Sequence, residues 1–201
     1  MIAGSATKYL RDATLDHHRE AERHVRILDP DATRSTYTRF LARMHGFHAA
    51  IEHAFADHAA LARAGFDAAA RRKQPLLAAD LRELGLDPDL LERPAVTVPS
   101  SLPHALGAAY VVEGSTLGGA FIRSHLALDV PVRFLTGYGA ATGQMWRAFG
   151  AICDRELATD AARTTAAAAA RETFTALTAW LDEPARDAPH PNRALDRRAL
   201  V

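Results

Sequence analysis

The chain has 201 residues, enough for one sizeable hydrophobic core. Lys plus Arg and Asp plus Glu both count 24, so the formal net charge is zero, which argues against a nucleic-acid or anionic-membrane binder acting through bulk charge. Composition is that of an ordinary globular protein, 48% hydrophobic and 24% charged, and the one cysteine, Cys153, excludes an internal disulfide or a zinc–cysteine cluster. The N-terminus "MIAGSATKYL" lacks the basic-then-apolar pattern of a secretion signal, and no apolar run approaches the length of a membrane span. The expectation is a cytoplasmic protein that meets neither membrane nor nucleic acid.

The hydrophobic period is helical nearly everywhere. Leu10, Ala13, Thr14, His17, Ala21, Val25 and Leu28 follow the i, i+3, i+4, i+7 template of a first helix. Tyr37, Phe40, Leu41, Met44, His48, Ile51 and Phe55 make a second stripe, with Ser35 as the expected N-cap. The stretch "RKQPLLAADLRELGLDP" reads as a short helix closed by Gly85. A long helix should follow, with Ser101 as its cap and Pro103 in its first turn. "VPVRFLTGYGA" reads as loop, and two more helices cover "TGQMWRAFGAICDREL" and "DAARTTAAAAARETFTALTAWL". No repeat and no alternating strand pattern occurs. The expectation is an all-α fold of roughly six helices, one domain over residues 1–183, followed by a loose tail over 184–201.

Two stretches carry chemistry. In "LRDATLDHHREAE", Arg11, His18 and Glu22 lie along one edge of the apolar stripe, and His18 and Glu22 are neighbours at i, i+4. A carboxylate that accepts one ring N–H of a histidine fixes its tautomer and lets the other nitrogen face a metal. Arg11, two turns earlier, is placed to meet an anionic group. The same pair also suits a solvated helix face, and His17 sits nearer the centre of the stripe. His48 and His58 read as core or boundary packing, and His24, His45 and His53 as surface or boundary residues. The second stretch is "YVVEGSTLGGAF", residues 110–121. Each glycine within a helix costs about 1 kcal/mol relative to alanine, yet this one holds Gly114, Gly118 and Gly119. Such a bare strip serves tight helix packing or the close approach of a flat ligand. Ser115 and Thr116 add hydroxyls that hold water or bond back to the helix.

These two stretches, with "YTRFLARMHGFHAAIE", "RRKQPLLAADLRELG" and "YGAATGQMWRAF" in the same order, resemble the heme oxygenases, most closely their bacterial branch, which includes enzymes that work beside bacterial phytochromes. The resemblance spans most of residues 8–182. It implies a heme sandwiched between the first helix and a glycine-rich distal helix. His18 then matches the proximal ligand of the heme iron and Glu22 the carboxylate on its other ring nitrogen. Arg11 stands where a basic residue meets a propionate, and Tyr110 packs near the pocket. Gly114, Gly118 and Gly119 match the glycines lying over the heme, and Ser115 takes the place of the aspartate that organises distal water in mammalian-type members. The implied reaction is the O2- and electron-dependent opening of heme to biliverdin, carbon monoxide and ferrous iron. Because no GxGxxG dinucleotide signature occurs, electrons should come from a separate reductase or ferredoxin. A bacterial phytochrome is a candidate partner.

Three other readings compete. A heme carrier or sensor would use the same His18 but fill the sixth site with a second strong ligand, and the sequence between Gly114 and Gly119 offers no His, Met or Cys. A di-iron enzyme on a related fold would need Glu-x-x-His pairs, which this chain lacks. An inactive module kept for docking would leave no pattern in the sequence.

Overall fold

The computed structural model describes residues 5–182. The expected tail over 184–201 lies outside the described residues. Eight α-helices and three single 3-10 turns make up the described chain, without a strand among the described residues. The α-helices are α1 (Ala6–His24), α2 (Arg34–Ala56), α3 (Ala59–Arg63), α4 (Gln74–Glu83), α5 (Leu102–His125), α6 (Arg133–Thr136), α7 (Thr142–Glu156) and α8 (Asp160–Asp182).

Each end has a local cause. Ser5 caps α1 by accepting from the Lys8 amide, and the Ala6 amide donates to Asp154 of α7 at 2.6 Å. The cap of α2 is Thr33, in a reciprocal capping box with Thr36, so the expected Ser35 lies inside the helix. Gly85, at φ +85°, closes α4 as expected, and the Leu86 amide returns to the Leu81 carbonyl at 2.9 Å. Ser101 holds the N-cap position of α5 without a side-chain bond.

The stretch expected to be loop contains α6. Its start is set from a distance. Asp80 of α4, fully buried, accepts from the Phe134 amide at 2.9 Å and from the Arg133 amide at 3.2 Å. A four-residue helix is too short to show a period, so only this long-range cap defines it.

Helix α5 is the central member, with α8 packed along it and α1 packed against α8 and touching α5. Alanines 166, 167, 169 and 170 of α8 are all buried, and Gly107 of α5 lies against them. A Cβ at Gly107 would come within 2.1 Å of the Ala166 carbonyl oxygen, so the two backbones are in contact here. The C-terminal end of α8 is pinned to α2. The Trp180 indole donates to the Arg43 carbonyl at 2.7 Å, Arg43 Nε donates to the Trp180 carbonyl at 2.8 Å, and the guanidinium lies 3.5 Å over the indole.

One expectation needs correction. Helix α5 has 24 residues and is long and apolar enough, by composition, to cross a membrane. With 61% of its most apolar 18-residue window buried inside the fold, that apolarity is the kind a core helix carries.

Candidate functional site

The site is built where α1 meets α5. Tyr110 of α5 lies beside Thr14 of α1, whose hydroxyl donates to the Leu10 carbonyl at 2.8 Å. Burial holds this phenol above its ordinary range, and the nearby Thr14 hydroxyl pulls against that shift. His18 and Gly114 each follow this contact by one helical turn in their own helices.

On α1, His18 turns Nδ1 toward Glu22 Oε1 at 3.5 Å, which leaves Nε2 on the opposite edge of the ring. The ring also meets Phe174 of α8 edge-on, centroids 5.8 Å apart, so it is steered from two sides. Arg11 only grazes Asp12, at 3.5 Å, whereas Lys8 holds the same carboxylate at 2.6 Å. Arg11 therefore keeps most of its donors for a ligand.

On α5, residues 114, 117, 118 and 121 share one face at helical spacing. A Cβ built on Gly114 or Gly118 meets nothing within 4 Å. These two glycines are therefore not packing glycines. Their face is open, and it is flanked by Leu117 and by Phe121, which is 61% exposed. Leu15, beside His18 on α1, is exposed as well. Gly119 differs: it is buried, and a Cβ there would lie 3.0 Å from the Leu135 carbonyl oxygen of α6. Ser115 bonds back to the Val112 carbonyl at 2.7 Å, and the Thr116 hydroxyl is buried with no partner.

Behind this face lies a cluster that sequence reasoning missed. The Glu113 carboxylate, almost fully buried, accepts from Arg71 Nη1, from Lys73 Nζ and from the Tyr138 hydroxyl, the last at 2.8 Å. Lys73 Nζ also donates to the Tyr138 oxygen at 2.6 Å. Burial pulls the Lys73 amine below its ordinary range while Glu113 opposes the shift. Beside the cluster, Glu52 accepts from His48 Nδ1 at 2.9 Å and from the Lys73 and Gln74 amides. Burial alone would raise the Glu52 carboxyl, but those bonds together hold it below the usual range. One signal was available: Glu113 is a lone carboxylate in the apolar run "GAAYVVEG", and a carboxylate there requires a buried cation. The "RRK" run that supplies the cations looks like any solvated charge run.

The remaining histidines sort themselves. His48 is a satisfied core residue, as expected. His58 caps α3 through Nδ1. His45, expected at the surface or boundary, is fully buried, because α2 is enclosed on nearly every side. Two concavities lie elsewhere, one around Val132, Arg133 and Thr136, the other around Ala49, His53, Arg72 and Arg93, and neither contains a residue expected from the sequence to bind heme. Among the described residues no group of three or more His, Cys, Asp or Glu could hold a metal ion, so the di-iron alternative has no donor set there.

The family model for heme oxygenase matches residues 4–183. The chain belongs to the heme oxygenase family. It is 32% identical to heme oxygenase PigA of Pseudomonas aeruginosa, over 70% of this chain and 73% of that protein. It is 35% identical to a heme oxygenase of Xanthomonas campestris pv. campestris, over 69% of this chain and 84% of that one. Its fold matches the NO- and CO-bound heme oxygenase of Neisseria meningitidis with a TM-score of 0.77 and 28% identity, covering 95% of this chain and 98% of the other. The all-α heme oxygenase fold expected from the sequence is the fold observed. These relatives are bacterial, and none of their names mentions a phytochrome.

The donor set on α1 and α5 fits the family's ligand. A flat, apolar macrocycle with two carboxylate tails asks for a bare helix face, exposed apolar side chains beside it, one neutral nitrogen ligand and a free cation at the rim. Gly114 and Gly118, Leu15, Leu117 and Phe121, His18, and Arg11 are the candidates for these parts in turn.

Proposed function

We propose that this chain is a heme oxygenase that binds heme between α1 and the open face of α5 and converts it to biliverdin, carbon monoxide and ferrous iron. The observation that carries the reading is the open face at Gly114 and Gly118, where a Cβ would touch nothing, in a helix whose preceding turns, residues 105–113, are core. Heme, bound as substrate, supplies both the iron that activates oxygen and the ring that is opened.

The chain's own residues divide the remaining work. His18 Nε2 ligates the iron, and Glu22, as acceptor for Nδ1–H, keeps the ring in the required tautomer. Phe174 fixes the tilt of that ring. Arg11 pairs with a propionate. Leu15, Leu117 and Phe121 lose their remaining exposure against the macrocycle, each contributing about 1 kcal/mol because roughly half of each side chain is already covered. Gly114 and Gly118 let the α5 backbone reach the distal side of the ring, and Ser115 with its neighbouring carbonyls holds water there. Residues 114, 117, 118 and 121 offer no side chain able to ligate iron. His125, the next histidine along, is turned back onto the Phe121 carbonyl and ring. The distal position therefore stays open to oxygen, which separates an oxygenase from a carrier.

Electrons come from a separate reductase or ferredoxin, and a reducing cytoplasm suits the buried Cys153, whose thiol burial pushes well above its usual range. Biliverdin formed this way serves iron release or supply of chromophore to a bacterial phytochrome. The test is aerobic turnover of the purified heme complex with an enzymatic reductase. Biliverdin and carbon monoxide in equal amounts support the proposal, and a heme complex that survives unchanged overturns it in favour of a carrier.

A further inference from the structure

The glycine turn of α5 is held by one short segment. At helical spacing, Thr116 and Gly119 lie on the side turned away from Gly114, Leu117, Gly118 and Phe121, and Glu113 lies on the flank. The segment 135–138 meets all three. A Cβ on Gly119 would come within 3.0 Å of the Leu135 carbonyl oxygen, and a Cβ on Gly137 within 2.5 Å of Thr116 Cγ2. Tyr138 reaches Glu113: its hydroxyl donates to the carboxylate at 2.8 Å and accepts from Lys73 Nζ at 2.6 Å. Burial, with Glu113 beside it, pushes this phenol far above its ordinary range, so it stays a donor. Gly137 and Gly139, at φ +55° and +57°, give the backbone on either side of Tyr138 a course that other residues rarely take. The segment is itself anchored, because the buried Asp80 of α4 caps α6. The buried cations Arg71 and Lys73 are matched by the buried carboxylates Glu113 and Glu52, so the cluster carries no surplus charge and acts by fixing position.

We propose that Tyr138 is a positioning residue for ring opening: through Glu113 it fixes the turn of α5 that carries Gly114 and Gly118, and so keeps cleavage at one meso bridge of the heme. Glycines give that turn no side chains to set its distance from a ligand, and they let a helix bend. The contacts on the other side of the helix therefore decide where its backbone stands. The meso bridges of heme are chemically alike and differ in position, so a small displacement of the backbone changes which one is opened. The inference rests on the proposed heme site and adds a residue to its reaction.

The test compares Tyr138→Phe with Trp180→Phe. The first removes one oxygen and leaves Arg71, Lys73 and Glu113 paired; the second removes the indole bond between α8 and α2. Both lose a buried hydrogen bond, so a merely structural loss is common to both. In the heme-free protein, hydrogen exchange over residues 114–119 should quicken about tenfold in Tyr138→Phe, the effect of losing one hydrogen bond to a charged group, and stay unchanged in Trp180→Phe. With hemin and an enzymatic reductase, chromatography of the products should show one biliverdin isomer from the unaltered chain and from Trp180→Phe. Tyr138→Phe should give a mixture while binding hemin as before. Thr116→Ser, which removes only the carbon that Gly137 packs against, should also give a mixture, and it decides if Tyr138→Phe does not fold. Unchanged exchange over 114–119, a single isomer from Tyr138→Phe, or a mixture from Trp180→Phe or the unaltered chain overturns the proposal. If the unaltered chain leaves hemin intact, the proposed function itself fails and the inference falls with it, an outcome plainly distinct from turnover whose isomer ratio ignores Tyr138.

Discussion

His17 and His18 are adjacent, and the sequence alone left their roles open. Periodicity favoured His17 as the inward residue, whereas the i, i+4 partner Glu22 favoured His18. In the fold, His18 has both Glu22 and the Phe174 ring to orient it. His18→Ala should abolish the histidine-ligated heme spectrum and turnover, while His17→Ala keeps both, and absorption spectra of the two reconstituted variants check this. Glu22→Gln should weaken heme binding about tenfold, the usual effect of losing the partner of a ligating histidine. What the sequence concealed at this scale was buried charge. Lys73 is almost fully buried, yet its neighbours Arg71 and Arg72 make the run look like a solvated surface. Only the distant Glu113 gives it a place, and no local pattern reports a contact forty residues away.

At the scale of the element, the glycines of α5 fall into two groups. The sequence offered tight packing or ligand approach as alternatives for the whole strip, and the fold separates packed glycines from open ones. Gly107 and Gly119 meet neighbouring backbone, while Gly114 and Gly118 meet open space. The same substitution should therefore have opposite effects. Gly107→Ala drives a methyl into the Ala166 carbonyl and should cost about 1–3 kcal/mol. Gly114→Ala meets no atom and gains about 1 kcal/mol of helix propensity. Thermal melts of the heme-free variants should show Gly107→Ala lowered by several degrees and Gly114→Ala raised by about 2–4 °C. Gly114→Ala should nevertheless bind heme more weakly, and Gly114→Leu should block it. A Gly114→Ala variant that is both more stable and fully active would mean the strip has no ligand to meet. Helix α6 illustrates the limit of local reading, since its four residues are defined by Asp80 from another helix.

For the whole molecule, periodicity was enough to establish an all-α chain, but it undercounted the helices, because α3 and α6 are shorter than any window that detects a period. The buried titratable groups determine how the fold responds to acid. Burial holds the His45 imidazole below its ordinary 6.5, so the unfolded chain takes up that proton first and stability falls as pH drops through 6.5. The Glu52 carboxyl is also lowered, so its contribution is complete above about 4.5 and is lost as pH falls further. Urea midpoints should decline in two stages on acidification, and Glu52→Gln should flatten the lower one. An acid limb that Glu52→Gln leaves unaltered would contradict this assignment.

Heme placed between α1 and the open face of α5 has a signature in hydrogen exchange, measured on the protein with and without one equivalent of hemin. Exchange should slow in residues 11–22 and 111–121, with little change around Ala49, His53, Arg72 and Arg93. Protection centred on that second concavity, with α1 and α5 unaffected, would contradict it.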